Sequence, residues 1–168
     1  TVAKTFHLIL SHRTTKFLTE NKLIDPSIQK AFLPGVSGCT EHNCVMSETI
    51  KHIKHMKKTL HITFFDLADA FGSVPHDVIL MSLQRNHFPQ EIQEYFKNFY
   101  SNIKSKVTTK SFHTDAFSFK KGVTQGDPMS AIIFILAFQP IIDHLMKNKH
   151  YGVLINEKRI ITLPYADD

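Results

Sequence analysis

Two apolar stretches of this chain each stop on aspartate. "HITFFD" closes on Asp66, and "RIITLPYADD" closes on Asp167 and Asp168. Both read as strands: short, apolar and rich in β-branched or aromatic residues. Strand side chains alternate between faces. In a regular strand, therefore, only one of two adjacent aspartates can face a given partner; the other points away or is swung round by a tight turn. If the two strand ends are neighbours, Asp66 and Asp167 share a site and Asp168 supports it. A lone aspartate at a strand end is ordinarily a turn or cap residue. Several that close, with no Lys or Arg beside them in sequence, repel one another. Hard oxygen donors of this kind suit Mg²⁺ or Mn²⁺. Two such ions held by shared carboxylates activate an attacking oxygen and stabilise a leaving one.

The rest of the chain supplies mostly helices. "TVAKTFHLILSHRTTKFLTEN" places Val2, Phe6, Ile9, Leu10, Phe17 and Leu18 at amphipathic-helix spacing. "AFLPGVSGCTEHN" reads as a loop, through Pro34, Gly35 and Gly38. The next stretch, "CVMSETIKHIKHMKKTL", predicts a helix with Met46, Ile50, Ile53, Met56 and Leu60 on one face and Lys51, Lys54 and Lys58 on the other. "PHDVILMSLQRNH" and "PQEIQEYFKNFYSN" are helices with proline near the first turn. "SKVTTKS" and "AFSFK" can pair as a short antiparallel ribbon. "GDPMSAIIFILAFQPIIDHLMKNK" is a long helix, with Asp127 as N-cap and Pro128 as first residue. "GVLI", the turn "NEK" and "RIITL" form a hairpin from which "PYADD" runs on. Helices and antiparallel strands without βαβ alternation define an α+β class.

With 168 residues, one domain with its own core is expected. Two cysteines, Cys39 and Cys44, argue against a disulfide-stapled secreted domain. The longest apolar run, "AIIFILAF", falls short of the roughly 20 residues a membrane span requires, so no membrane partner is expected. A net charge of +5 favours polyanions. Between Lys97 and Lys121, the residues Lys97, Lys104, Lys106, Lys110, Lys120 and Lys121 face only Asp115, with Phe and Tyr interleaved. That mixture suits phosphate contact and base stacking. "CTEHNC" offers Cys39, His42 and Cys44 as zinc ligands, with His52 or His55 as a fourth, but it lacks C-x₂-C spacing. Surface or boundary positions suit His52, His55 and His61 better.

"FFDLADAF", "KKGVTQGDPMS" and "YADD" occur in this order at separations that resemble motifs A, B and C of reverse transcriptases. Alanine in the second position of the last box resembles the non-LTR retrotransposon branch. "QKAFLPGVSGCTEH" is similar to the extra segment those elements carry before motif A, and "AFGSVPH" looks closest to site-specific elements with a restriction-like endonuclease. The resemblance implies a right-hand polymerase palm with part of the fingers, residues 1–59 on the fingers side and 60–168 in the palm. It implies RNA-directed DNA polymerisation with two Mg²⁺ (or Mn²⁺) ions, an RNA template, a DNA primer and dNTP substrates, at work in the nucleus. Asp66 and Asp167 would ligate both ions and Asp168 would complete the cluster. The Leu67 carbonyl would finish one shell, and the Asp69 and Ala70 N–H groups would meet the triphosphate. Phe71 stands at the steric gate that excludes a 2′-hydroxyl. Gln125 and Gly126 would touch nucleotide and template.

Gly72 stands where many relatives have aspartate, a substitution at home in the site-specific group. An arginine-bearing fingers segment before Thr1, and a primer grip and thumb after Asp168, are expected in a longer parent protein. The 168 residues alone are accordingly expected to bind nucleic acid weakly and not to polymerise. A non-catalytic nucleic-acid-binding relic is the competing reading. Decay strips catalytic carboxylates, yet Asp66, Asp167 and Asp168 all stand here.

Overall fold

The apolar run behind the motif-B turn becomes the central helix. In the computed structural model, which describes residues 2–168, α6 spans Ser130–Lys147. Ile132, Ile133, Phe134, Ile135, Leu136, Ala137 and Ile142 are all buried on it. A helix apolar all round is a core helix, and each buried Ile, Leu or Phe contributes about 1.5–3 kcal/mol. By length and composition alone α6 could cross a membrane; here its apolar side chains pack on α4 (His76–Arg85) and α1 (Val2–Glu20). Helix α5 (Gln90–Asn102) lies on α4 and adds Phe96 and Tyr100 to the same core.

Helix α1 does not bury its apolar face. Val2, Phe6, Ile9 and Phe17 stay exposed, and the buried stripe is His7, Thr14 and Leu18, with Leu10 packed against the core. The reason is the partners His7 finds. Its Nδ1 lies 2.5 Å from the Asp127 carboxylate, its Nε2 lies 2.5 Å from the Tyr95 hydroxyl, and its ring packs edge-on against Phe99. A histidine with both ring nitrogens engaged can occupy a core position, and it turns the helix. Burial first, then the Asp127 charge, raises the pKa of the Tyr95 hydroxyl. We expect His7→Ala to destabilise the chain by about 2–4 kcal/mol, because it strands a largely buried carboxylate and a hydroxyl. In urea unfolding, His7→Ala combined with Asp127→Asn should lose less than the sum of the single losses; strict additivity would dissolve the pair.

Helix α2 runs Gly38–His55, so it begins inside the stretch expected to be a loop. The Glu41 carboxylate accepts a hydrogen bond from the Ser37 N–H at 3.2 Å and pairs with Lys30, folding "CTEHN" into the first turns. Lys30, then the Ser37 N–H, hold the Glu41 pKa below the usual carboxylate value. The buried face is His42, Thr49 and Ile53, with Met46 and Ile50 half-buried; Met56 is exposed and Leu60 lies beyond the helix.

Two hairpins form near the expected places but shorter: of "SKVTTKS" only Ser105 enters a strand, with an isolated bridge between Thr108 and His113, and Lys158 of "NEK" joins the second strand. β1 (Lys104–Ser105) pairs antiparallel with β2 (Phe117–Ser118), and β3 (Val153–Ile155) with β4 (Lys158–Ile160). Asn156 and Glu157 are both left-handed, as a two-residue hairpin turn with matching twist requires.

The strand expected to end at Asp66 does not form. Residues 58–67 belong to no helix or strand, and Phe64 and Phe65 are exposed. Nor does β4 continue through 161–165. A strand needs a ladder on at least one edge. Among the described residues, β4 pairs only with β3, over three residues, and no strand lies beside 61–66. The class remains α+β, helix-rich with two small antiparallel sheets.

Candidate active site

Four small or aromatic side chains bring the motifs together. Ala31, Ala70, Phe134 and Ala166 form one buried cluster, with Phe71, Val74, Phe138 and Tyr165 packed around it. Ala70 belongs to the motif-A segment, Phe134 to the helix behind motif B, Ala166 to the YADD box, and Ala31 to the segment upstream of motif A. Distant parts of the sequence therefore meet at one point of the core.

In motif A, Asp69 is left-handed at φ 50° and precedes the single turn α3 (Ala70–Ser73). Asp66, Leu67 and Asp69 are exposed, and Ala70 is buried. Phe71 is half-buried, stacked on Phe134 at 4.8 Å and 10°, with Phe32 edge-on at 6.2 Å. The Asp69 carboxylate lies over Gly72, where a Cβ would stand 2.3 Å from Oδ2. Gly72 thus leaves room for the Asp69 side chain.

Two backbone bonds dock this turn on the first residues of the motif-B segment. The Val123 N–H donates to the Phe71 carbonyl at 2.8 Å and the Gly122 N–H to the Val74 carbonyl at 2.7 Å. His76 Nε2 lies 3.1 Å from the Gly122 carbonyl and donates to it. Gln125 and Gly126 sit exposed in the turn ahead of α6, with Gly126 at φ 80°. The N-cap of α6 is Met129, not Asp127, and the helix starts at Ser130, two residues beyond Pro128. Asp127 still ties the turn ahead of the helix, with Oδ2 on His7 and Oδ1 accepting the Met129 N–H at 2.9 Å.

The YADD box is a closed turn. The Tyr165 N–H donates to the Asp168 carbonyl at 2.9 Å, and the Asp168 N–H returns to the Tyr165 carbonyl at 3.1 Å. Ala166 is left-handed at φ 55°, which is unfavourable by about 1–2 kcal/mol for an L-residue. Asp167 is half-buried and Asp168 exposed. Cys39 beside Tyr165, by charge and then by hydrogen bonding, raises the tyrosine's pKa.

Ion pairs among the described residues join His7 to Asp127, Lys16 to Glu20, Lys30 to Glu41, Lys51 to Glu48 and Arg85 to Asp143. None takes Asp66, Asp167 or Asp168, which leaves three hard oxygen donors free, a set chemically suited to a divalent cation. Among the described residues no three His, Cys, Asp or Glu side chains are gathered closely enough to hold a metal ion. Asp66 lies on the unpaired 58–67 segment and the other two on the closed turn. The "CTEHNC" segment gathers no metal set either: Cys39 and Cys44 are exposed, while the His42 ring is buried against Pro164. His55 and His61 are exposed and His52 is half-buried.

Sequence reasoning missed His7 and Gln29. Both are buried polar residues whose partners lie about a hundred residues away, and no local pattern marks such a pairing.

Motif A, the helix behind motif B and the YADD box thus meet at one core point. Residues 3–168 match the family model described as reverse transcriptase (RNA-dependent DNA polymerase), and the chain belongs to that family. It is 32% identical over 163 residues to the Pol polyprotein of the type-1 retrotransposable element R2 of Nasonia vitripennis, covering 97% of this chain and 15% of that protein. The corresponding R2 protein of Bradysia coprophila is 27% identical over 169 residues, covering 99% and 18%. That of the type-2 element R2DM of Drosophila melanogaster is 25% identical over 142 residues, covering 83% and 13%. The chain thus spans under a fifth of the length of these relatives.

Proposed function

We propose that this chain is the catalytic part of an RNA-directed DNA polymerase that copies an RNA template onto a DNA primer during retrotransposition, inside the nucleus. The observation that carries the reading is the Ala31–Ala70–Phe134–Ala166 cluster, which joins motif A, the helix behind motif B and the YADD box. Residues 1–59 serve as the fingers side and 60–168 as the palm. Asp66, Asp167 and Asp168, with the Leu67 carbonyl, would hold two Mg²⁺ ions, and the bound ions would supply charge stabilisation to attacking and leaving oxygens. Binding them requires the 61–66 segment to seat beside the YADD turn, and the apolar Ile62, Phe64 and Phe65 give that seating a hydrophobic drive. Asp69 and Ala70 offer N–H groups to the triphosphate, and Gln125 and Gly126 meet nucleotide and template. The basic stretch around β1 and β2 carries exposed Lys104, Lys106, Lys120 and Lys121 for phosphate contact.

The test is primer extension on poly(rA)·oligo(dT) with dTTP and Mg²⁺, using a longer polypeptide that contains these residues. Template-dependent extension supports the reading. Nucleic-acid binding without extension in any flanking context, Mn²⁺ included, would favour the relic.

Phe71 tests substrate choice within the same assay. Its ring is fixed by stacking on Phe134, so it presents one edge. Phe71→Ala should raise ribonucleotide incorporation relative to dNTP by about tenfold or more, since removing a steric block erases most of its discrimination. An unchanged ratio would remove the gate role.

A further inference from the structure

The segment "QKAFLPGVSGCTEH" has no part in the chemistry described so far, yet it lies along "LPYADD". The Gln29 side-chain oxygen accepts the Ala31 N–H and the Ala166 N–H, each at 3.0 Å. The Lys30 N–H donates to the Pro164 carbonyl at 3.4 Å, and His42 Nε2 donates to that carbonyl at 2.9 Å. Tyr165 packs on Gly38 so closely that a Cβ there would stand 2.6 Å from its ring. Gln29 and His42 are both buried. Three successive residues, Pro164 and the first two of the box, are thus held by one upstream segment.

What is held is strained. Ala166 occupies a left-handed conformation where glycine would be at ease, and strain of this kind persists where the surroundings over-determine it. The N–H of that same residue is the one Gln29 engages. The following residue is Asp167, and the turn fixes where its carboxylate stands. We propose that Gln29, assisted by His42, is a positioning residue for the catalytic turn: its amide oxygen holds Ala166 left-handed and so aims Asp167. The proposal rests on the polymerase reading for its consequence, while the contact it describes can be measured without it.

Gln29→Met removes the acceptor at nearly constant volume, and Gln29→Glu keeps an oxygen in place. In the polymerising polypeptide, Gln29→Met should lower kcat about ten- to a hundredfold, the scale set by displacing a reacting group by about 1 Å, with template–primer Kd unchanged. Gln29→Glu should retain most of kcat. Adding Ala166→Gly to Gln29→Met should recover part of the loss, because glycine adopts the turn without help. A merely structural glutamine would reduce the folded fraction, leave kcat per active site intact and gain nothing from the glycine. Full kcat in Gln29→Met, or absence of rescue, overturns the proposal. Amide exchange at Ala166 in the unaltered protein guards against a variant that does not fold: a protected N–H supports the contact and a freely exchanging one refutes it. No extension by the unaltered polypeptide would sink the polymerase reading, and the exchange result would then decide the contact by itself.

Discussion

Asp167→Asn and Asp66→Asn should each lower primer extension by at least about a thousandfold, the scale on which residues that act as a catalytic unit fail. The replacement is isosteric, so packing survives while an anionic hard donor becomes a neutral amide. Asp168→Asn should be milder. Asp168 is exposed and closes the turn through its backbone, whereas Asp167 occupies the centre of the turn beside Ala166. None of the three carboxylates is tied up in an ion pair, so the loss would not come from breaking a fold contact. Urea unfolding should confirm that stability holds within about 0.5 kcal/mol, as for surface changes away from any buried network. Template–primer affinity should hold as well, since phosphate contact belongs to the lysines. Extension by Asp167→Asn within a factor of two of the unaltered protein would remove Asp167 from the chemistry.

The parts of this molecule that were legible in its sequence are the local ones. Motif order, the two hairpins and the helices α4 and α5 rest on short-range signals: proline near a first turn, β-branched runs, a polar two-residue turn. The unreadable parts depend on distant partners. "ITFFD" has every strand signal, yet a strand is a relation between two backbones, and no neighbour lies beside it among the described residues. Helix α1 was misoriented because periodicity weighs Phe6 and Ile9 above His7, and only Asp127 and Tyr95 make His7 a core residue. The same aspartate spans two jobs: Oδ2 meets His7 while Oδ1 accepts the Met129 N–H just ahead of α6, and only the second of these is a local signal. The acidic residues stand out in the sequence because carboxylates end two apolar stretches. The support under them was not, because a buried glutamine 137 positions from Ala166 leaves no local trace.

Gly122→Ala should cost the chain about 3–5 kcal/mol, summed from two sources. Gly122 sits at φ 94°, sparsely populated for any residue with a Cβ and worth about 1–3 kcal/mol of strain. The added carbon would also stand 2.9 Å from the Gly72 carbonyl oxygen and 3.0 Å from the Gly72 Cα. Those are backbone atoms of the motif-A turn and cannot rotate aside as a side chain could. Relief requires the two segments to part, and with them the Gly122–Val74 and Val123–Phe71 bonds, at about 1 kcal/mol each. Gly35→Ala is the control: it is also left-handed at φ 72°, but nothing lies within 4 Å of its would-be Cβ. It should lose only about 1–2 kcal/mol, the conformational part. Against a total stability of about 5–15 kcal/mol, the first variant is severe and the second mild. At about 2–4 °C per kcal/mol for a chain of this size, thermal unfolding should fall by about 6–20 °C for Gly122→Ala. Equal losses in the two variants would mean that motif A and the approach to motif B are not in backbone contact. The larger loss at Gly122 would show that the surface presenting Phe71 is set by that contact, because the Phe71 carbonyl is one of the two acceptors that hold it.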